Sequence, residues 1–529
     1  MTARSVALGG NAYPLILPNI RDPRLHVASV VITIHILGQV ALGFHVSIPQ
    51  ILAAILTCAI IEITLTFRHS RALVWPASAM LTGSGVALIL RVVGTPAGQP
   101  WYTDGWYIFA AVAGFSLLTK YWIKYRGTHV FNPSNIGLVL AFVVLGNAIV
   151  EPLDFWWAPL AGPMLAAYAV IVTGGLLITR RLHLLGLAAA FWVTLAVGIG
   201  ILAASGHSMT TNWAFAPVSG FDFWRVIVTS PEVLIFLFFM ITDPKTTPGG
   251  QVGRIVFGVL VAITSTLLIA PQTNEFGTKV ALLSGLVVVC AARPLLDRLL
   301  PEPRSTADDL GRFARRLATG GSAGAGVVRG AARVGLIAVA VLGIGVGIVA
   351  AGGPARGLVV PDSSELLRDV PHAVDPATFP TMTIGQQVTD YDHTVAGSGA
   401  QAILMTLGEN LEVENLALQR GDDQLLVAVD HGDRLKEMRD RLQQTTATGL
   451  TVLRHYRFET VDVRLIVPFG VQTGVSLGFD STGTVTEETY RAGALQSSTT
   501  APFAQTFAVR QATGSRWLTV AMLPPGTGS

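Results

Sequence analysis

Residues Lys124–Gly137, with the sequence KYRGTHVFNPSNIG, join two apolar runs at about 105–123 and 135–150 and decide how the chain folds. This stretch contains two cations, a histidine, two asparagines, a proline and two glycines. Such residues cannot lie in hydrocarbon unless protein or water surrounds them. Asn132 can cap the helix that follows and Pro133 can open it, so its first N–H groups would form a positive helix end. Such an end suits an anion or a polarised carbonyl group.

A second polar stretch, Phe239–Gly250 (FMITDPKTTPGG), interrupts a later apolar run. Two interrupted helices at corresponding places of two halves point to a binding site near the middle of the membrane. The candidate contacts are His129, Phe131, Asn132, Pro133 and Asn135 in the first stretch and Thr242, Asp243 and Lys245 in the second. A purely structural role stays open for both stretches, as a capped helix start and as an acid–lysine pair that closes a helix end.

The composition is that of a polytopic membrane protein. Of 529 residues, 51% are hydrophobic and 13% charged, and the mean hydropathy is +0.55. A net charge of +3 is too small to indicate nucleic-acid binding. Cys58 and Cys290 lie alone in apolar runs, so we interpret them as core residues, and the sequence predicts no metal site. Met1–Arg24 has no signal-peptide pattern.

Eleven membrane spans are predicted from apolar windows of helical length. The windows are 25–43, 48–67, 72–91, 105–123, 135–150, 160–178, 184–204, 231–243, 254–270, 277–292 and 334–352. The window at 231–243 is short enough to indicate a half-helix. Basic residues on alternate loops predict a cytoplasmic N-terminus and place everything after about 355 outside the cytoplasm.

Five regions follow from these windows. They are a cytoplasmic N-terminus (1–24), a ten-helix membrane domain (25–292), a basic cytoplasmic linker (293–333), an eleventh helix (334–352) and an extracytoplasmic domain (355–529). The linker contains eight arginines and four acids. Within the spans, Glu62 is expected to pair with a nearby cation such as Arg68, and His35 to be a hydrogen-bonded core residue.

The extracytoplasmic domain is predicted to be α+β. Helical periodicity runs from Ile403 to Leu442 with a charged break at Asp422–Asp433, and alternating runs follow from Thr451. The predicted strands are Val452–Phe458, Val461–Val467, Val471–Phe479, Thr484–Tyr490, Phe503–Arg510 and Trp517–Leu523, with a hairpin turn at Asp480–Gly483. The order resembles a nuclear-transport-factor-2-like cone. No catalytic pattern stands out, which favours a role in docking an extracytoplasmic protein partner or in sensing.

Four motifs in order carry a resemblance to a known family. The motifs, in chain order, are Pro76–Gly83 (PASAMLTG), His129–Gly137, Phe239–Pro248 and Asn274–Leu283 (NEFGTKVALL). Over residues 20–295 or so, the chain resembles the NqrB/RnfD family, which contains the B subunit of the sodium-pumping NADH:quinone oxidoreductase and the D subunit of the Rnf complex. It is most similar to the UnbU-like proteins of actinobacteria and enediyne biosynthesis clusters.

The resemblance implies a fold and a cofactor. The fold would be two inverted five-helix repeats, as in urea transporters, with the boundary near Glu151. Family members carry electrons through flavin, and one FMN is attached to a threonine of a Ser-Gly-Ala-Thr motif after the fifth span. Here that loop, Gly146–Trp157, contains no threonine. The expectation is therefore a noncovalent FMN or riboflavin held by the candidate contacts, with no covalent flavin site.

Two functions of different classes follow. The first is a membrane subunit of a redox complex, which passes electrons with other subunits, possesses no catalytic residues of its own and serves a biosynthetic pathway. The alternative is a urea-transporter-like transporter or channel for a small solute or pathway product, without redox activity. A scaffold that recruits partners through residues 355–529 is a third interpretation.

Overall fold

The computed structural model describes two compact units. They comprise Met1–His207 with Ser219–Ala355, and Ser208–Val218 with Arg356–Ser529. The described residues are 4–8, 11–20, 22–96, 99–147, 149–153, 162–211, 217–319, 339, 342–352, 366–368, 370, 374, 379–392, 395–466, 475–511 and 516–526. Parts of the predicted linker, eleventh helix and extracytoplasmic domain lie outside them.

The first unit is mostly helical. Its described helices are α1 (Pro23–Val40), α2 (Ile48–Ser70), α3 (Ala77–Ile89), α4 (Trp106–Trp122), α5 (Pro133–Leu145), α6 (Pro163–Arg181), α7 (Leu185–Ala204), α8 (Gly220–Thr229), α9 (Pro231–Ile235), α10 (Gln251–Ile269), α11 (Glu275–Ala291), α12 (Arg293–Leu299), α13 (Leu310–Thr319) and α14 (Leu342–Gly352). A π-helical turn, Phe236–Met240, continues α9. Two strands precede α1, β1 (Arg4–Leu8) and β2 (Asn11–Ile16), and short strands lie between later helices: β3 (Leu73–Val74), β4 (Leu90–Val92), β5 (Lys124–Tyr125), β6 (Thr128–His129) and β7 (Val150–Pro152). Strand β8 (Ser208–Met209) belongs to the second unit, and β9 (Val218–Ser219) starts at the last residue of that unit's first segment.

Six helical stretches are long and apolar enough to cross a membrane, among the residues that the structure describes. They are α1, α2, α6, α7, α10 and the run Gly220–Met240, which is α8, α9 and the π-helical turn taken together. The pair α11 and α12, bent by 56°, would make a seventh, while α3, α5 and α14 are shorter apolar helices. The chain is therefore a multi-pass membrane protein, but the eleven predicted spans are not confirmed.

The window predicted at 231–243 corresponds to a short helix that starts at Pro231. Helix α8 ends at Thr229, and Ser230 has an extended backbone (φ −62°, ψ 148°). Ser230 caps α9 by accepting from the N–H of Val233 at 3.2 Å, and Pro231 takes a first-turn position, where proline is tolerated. The run Gly220–Met240 as a whole, with 21 residues, is still long enough to cross a membrane.

The helices pack with a recurring order of neighbours. Helix α2 packs against α3 and α4, and α4 packs against α5; likewise α7 packs against α8 and α10, and α10 against α11. Glycines allow the closest approaches. A Cβ atom on Gly83 would lie 2.5 Å from the Ala54 carbonyl oxygen, and one on Gly258 would lie 2.7 Å from that of Leu187. Backbone therefore meets backbone at both crossings, as small residues permit in membrane bundles.

The second unit has helices followed by a sheet, as predicted. Its described helices are α15 (Gln386–Tyr391), α16 (Ser398–Arg420), α17 (Asp423–Val429) and α18 (Gly432–Thr448). Its sheet has the order β10 (Met382–Ile384), β11 (Leu450–Ile466), β12 (Ser476–Arg491), β13 (Ala494–Gln511) and β14 (Trp517–Leu523). β10 pairs parallel and the others antiparallel. Phenylalanines 458, 503 and 507 pack against α16 in the core.

The strand boundaries differ from the prediction in two places. The two strands predicted between Val452 and Val467 are one strand, β11, with an irregularity after Phe458. The hairpin predicted at Asp480–Gly483 is wrong, because β12 runs straight through it. Gly483 serves close packing there: a Cβ atom would lie 2.0 Å from the Arg457 carbonyl oxygen. The tight turn lies instead at Ala492 and Gly493, both at positive φ.

Candidate functional site

A cavity of about 530 Å³ lies in the first unit and brings both polar stretches together. It is bounded by the starts of α1 and α5, the length of α3, the ends of α4 and α6 and the segment that follows α9. Six of the eight candidate contacts line it: His129, Asn132, Pro133, Thr242, Asp243 and Lys245. The sequence thus predicted a set of residues that the fold places around one space.

Asn132 links the two stretches. Its Oδ1 accepts from the N–H of Asn135 at 3.2 Å and from Oγ of Ser134 at 2.9 Å, which caps α5 as predicted. Its Nδ2 donates to the carbonyl of Met240 at 3.3 Å. The buried side chain therefore joins the two polar stretches, and one of its two Nδ2 hydrogens is used in this link.

His129 and Asp243 make a second link. The hairpin of β5 and β6, which turns at Arg126 and Gly127 with positive φ, holds His129 so that its Nε2 lies 3.2 Å from Oδ2 of Asp243. Oδ1 of Asp243 accepts from the N–H of Lys245 at 3.0 Å. Arg293 of α12 donates to the Lys245 carbonyl at 3.0 Å and fixes the same loop. The predicted acid–lysine closure thus uses the backbone of Lys245 and leaves its ammonium group exposed.

Phe131 and Asn135 do not line this cavity. Asn135 is 1% exposed, and its Nδ2 donates to the carbonyl of Leu283 at 3.1 Å, which ties α5 to α11. Phe131 is half-buried beside the cap of α5. Thr242 does line the cavity, but its hydroxyl donates to the Phe238 carbonyl at 2.5 Å. These three side chains serve the packing of the bundle.

Several lining residues were missed by sequence reasoning. Asp22 caps α1 and binds Arg24 through both carboxylate oxygens, with a closest distance of 2.6 Å. Lys120 of α4 lies 3.1 Å from Glu62. The signal for Asp22 was present, since Asp22-Pro23 resembles the helix start Asn132-Pro133, whereas the approach of Lys120 depends on tertiary packing.

Two polar side chains in the neighbouring helices have partners. Glu62 is paired, but with Lys120 and the Tyr121 hydroxyl, not with Arg68. Glu62 of α2 pairs with residues of α4, and not with Arg68 of its own helix, because α2 and α4 pack side by side. His35 lies with its Nε2 3.4 Å from Oγ of Ser84, as expected of a hydrogen-bonded core histidine.

A second, water-sized cavity of about 30 Å³ adjoins the first. Lys279 and Glu232 line it, and Lys279 lies 2.8 Å from Glu275 and 3.4 Å from Glu232. Ile89 and Ile235 line both cavities. The two cavities therefore share two isoleucines, and the smaller one has a buried charged wall.

The large cavity has the chemistry of a site for a small organic ligand. Its volume lies within the roughly 300–1,000 Å³ of ligand pockets. Its deeper wall is apolar, with Leu88, Ile178 and Phe238 among the lining residues. At its polar end lie the Lys245 ammonium, the His129 imidazole and the first turn of α5, which can supply hydrogen-bonding groups to a ligand.

Comparison with known proteins assigns the chain to no family. No family profile matches the chain, and no curated protein matches it. Function is therefore argued from the cavity and its side chains.

Proposed function

We propose that this chain is a membrane subunit of an electron-transport system, resembling the NqrB/RnfD family and most similar to its UnbU-like members. In this proposal a flavin, FMN or riboflavin, binds noncovalently in the large cavity. The observation that supports it is the convergence of both polar stretches on one space of about 530 Å³.

The residues present fit such a ligand. An isoalloxazine ring needs a flat apolar slot with a few polar contacts at its edge, and Phe238 and Phe239 offer aromatic faces there. Lys245 and the positive end of α5 suit a polarised carbonyl or a phosphate. Bound flavin would supply the electron-carrying chemistry, and the protein would supply position and electrostatics.

Noncovalent binding follows from the sequence of the loop after α5. Residues 146–157 contain no threonine, so the family's covalent attachment has no acceptor there. The loop lies partly outside the described residues. The retained family features are the cavity-lining turns, and these need no covalent bond to hold a ligand.

The proposed architecture is a pair of inverted five-helix repeats. The recurring order of helix neighbours supports this proposal. So do matching caps, since Asn132 accepts from the N–H three residues on at 3.2 Å and Asn274 does the same from Gly277 at 2.7 Å. Each capped helix would be the last of its repeat.

In the proposed topology, the N-terminus is cytoplasmic in the cell membrane and the second unit is extracytoplasmic. Other redox subunits would deliver or take electrons, and the second unit would dock an extracytoplasmic protein. The chain would act as part of a complex that serves a biosynthetic pathway, not as a self-contained enzyme.

A binding titration of the purified full-length protein with riboflavin or FMN tests the proposal, and quenching of flavin fluorescence measures the binding. We expect saturable quenching that Lys245→Gln weakens. Lys124→Gln is the matched control, because Lys124 is also an exposed lysine but does not line the cavity. Equal affinity in both variants, or no quenching, would contradict this site.

A solute transporter is the second candidate function. It is favoured by one observation: the two cavities share Ile89 and Ile235 in their linings. If the pair is a closed gate, Ile89→Ala with Ile235→Ala should raise the flux of a small neutral solute such as urea into liposomes. Ile34→Ala with Ile199→Ala removes the same volume from buried positions elsewhere and should leave flux unchanged. Equal flux in the two double variants argues against transport.

A further inference from the structure

The segment after α12 folds back onto the first turn of α10. Helix α10 has no capping side chain of its own at Gly250. Asp308 supplies it, since its Oδ1 accepts from the N–H of Val252 at 2.9 Å and its Oδ2 accepts from that of Arg304 at 3.1 Å. Because α10 is long and apolar enough to cross the membrane, this contact holds α13, which starts at Leu310, at the level where α10 enters it.

Helix α13 is basic on one side and apolar on another. It carries Arg312, Arg315 and Arg316 and no acidic residue. All three arginines are exposed, while Leu310 and Phe313, spaced three residues apart, are half-buried. The preceding acid, Asp309, accepts from the N–H of Arg312 at 2.8 Å and caps the helix. Its carboxylate therefore serves the helix start.

Helix α12 adds an apolar surface beside this charge. It bends by 56° from the end of α11. Leu295 and Leu299, four residues apart on one face, are 57% and 69% exposed. Exposed leucines at this spacing on a short helix next to a membrane span are typical of a helix that lies in the bilayer interface.

We propose that α12 and α13 form a binding surface for anionic phospholipid headgroups. Leu295, Leu299 and Phe313 would enter the acyl boundary, and the three arginines of α13 would meet lipid phosphates. Charge complementarity selects this occupant, because each surface arginine raises the affinity for an anionic leaflet by about fivefold. A zwitterionic leaflet gives the arginines no such gain. The surface is independent of the flavin cavity.

Hydrogen exchange of the full-length protein in nanodiscs tests this surface. The nanodiscs contain phosphatidylcholine alone or with phosphatidylglycerol. We expect slower exchange of the α13 amides when phosphatidylglycerol is present, and a loss of that difference at high salt. The triple variant Arg312→Gln, Arg315→Gln, Arg316→Gln should lose it as well.

A matched triple variant controls for charge alone. Arg420→Gln, Arg457→Gln and Arg491→Gln remove the same charge from exposed positions of the second unit, and the lipid effect on α13 should persist. The α10 amides report whether each variant keeps the bundle. Equal exchange of α13 in both lipids, with α10 protected, overturns the proposal. So does a lipid effect that survives in the α13 triple variant.

Discussion

Replacing Asn132 with alanine removes three hydrogen bonds at the wall of the cavity. The cap to Asn135 is worth about 1 kcal/mol. The Met240 carbonyl and the Ser134 hydroxyl each lose a partner in a buried place, at about 0.5–1.5 kcal/mol apiece. The free energy of unfolding of the first unit should therefore fall by about 2–4 kcal/mol.

Asn274→Ala is the matched control, because Asn274 caps α11 in the same way through Gly277 at 2.7 Å. It should cost about 1 kcal/mol, the value of a cap alone. Thermal unfolding in detergent, followed by tryptophan fluorescence, should show a clearly larger shift for Asn132→Ala. Equal shifts would refute the claim that Asn132 joins the two polar stretches.

Further substitutions test the packing and the second unit. Gly258→Ala should destabilise the bundle by about 1–3 kcal/mol in the same thermal assay, because its Cβ meets backbone of α7, whereas Gly186→Ala finds no atom closer than 3.8 Å and should be neutral. Arg434→Met should cost about 3–5 kcal/mol in calorimetry of the second unit, since it leaves Glu414 charged and buried; their closest contact is 2.5 Å. Burial, and then the charge of Glu414, raises the pKa of Asp430 well above its usual range. The protonated Asp430 carboxyl therefore contributes its full stabilisation at acid pH, and this stabilisation is lost as pH rises through the raised pKa. Asp430→Asn cannot ionise, so this variant should unfold less readily than the natural chain at alkaline pH.

Features set by neighbouring residues were predictable from the sequence. Asn132 and Pro133 define a helix start locally, and α5 begins there. The strand Trp517–Leu523 coincides with β14, because Gly514 and the alternating pattern mark its limits. The polar stretches were recognisable because charge and proline are costly in a membrane. Their convergence on one cavity required the fold.

Features set by distant residues were not predictable. A turn at Asp480–Gly483 satisfied local turn rules, but the pairing of Asp480 with Arg464 across the sheet keeps β12 extended. Glu62 forms its ion pair with Lys120 of another helix and not with Arg68 of its own helix. In each case, a contact across elements outweighs a local preference that is worth only a few tenths of a kcal/mol or so.

The visible absorption spectrum of the detergent-purified protein, before and after acid precipitation, tests the central claim most directly. A noncovalent flavin in the large cavity predicts a yellow protein whose colour passes into the supernatant when acid unfolds it. Colour that stays with the pellet would reveal a covalent attachment site that residues 146–157 do not offer. A colourless protein, after expression with ample riboflavin, would contradict the electron-transfer proposal and favour the transporter proposal.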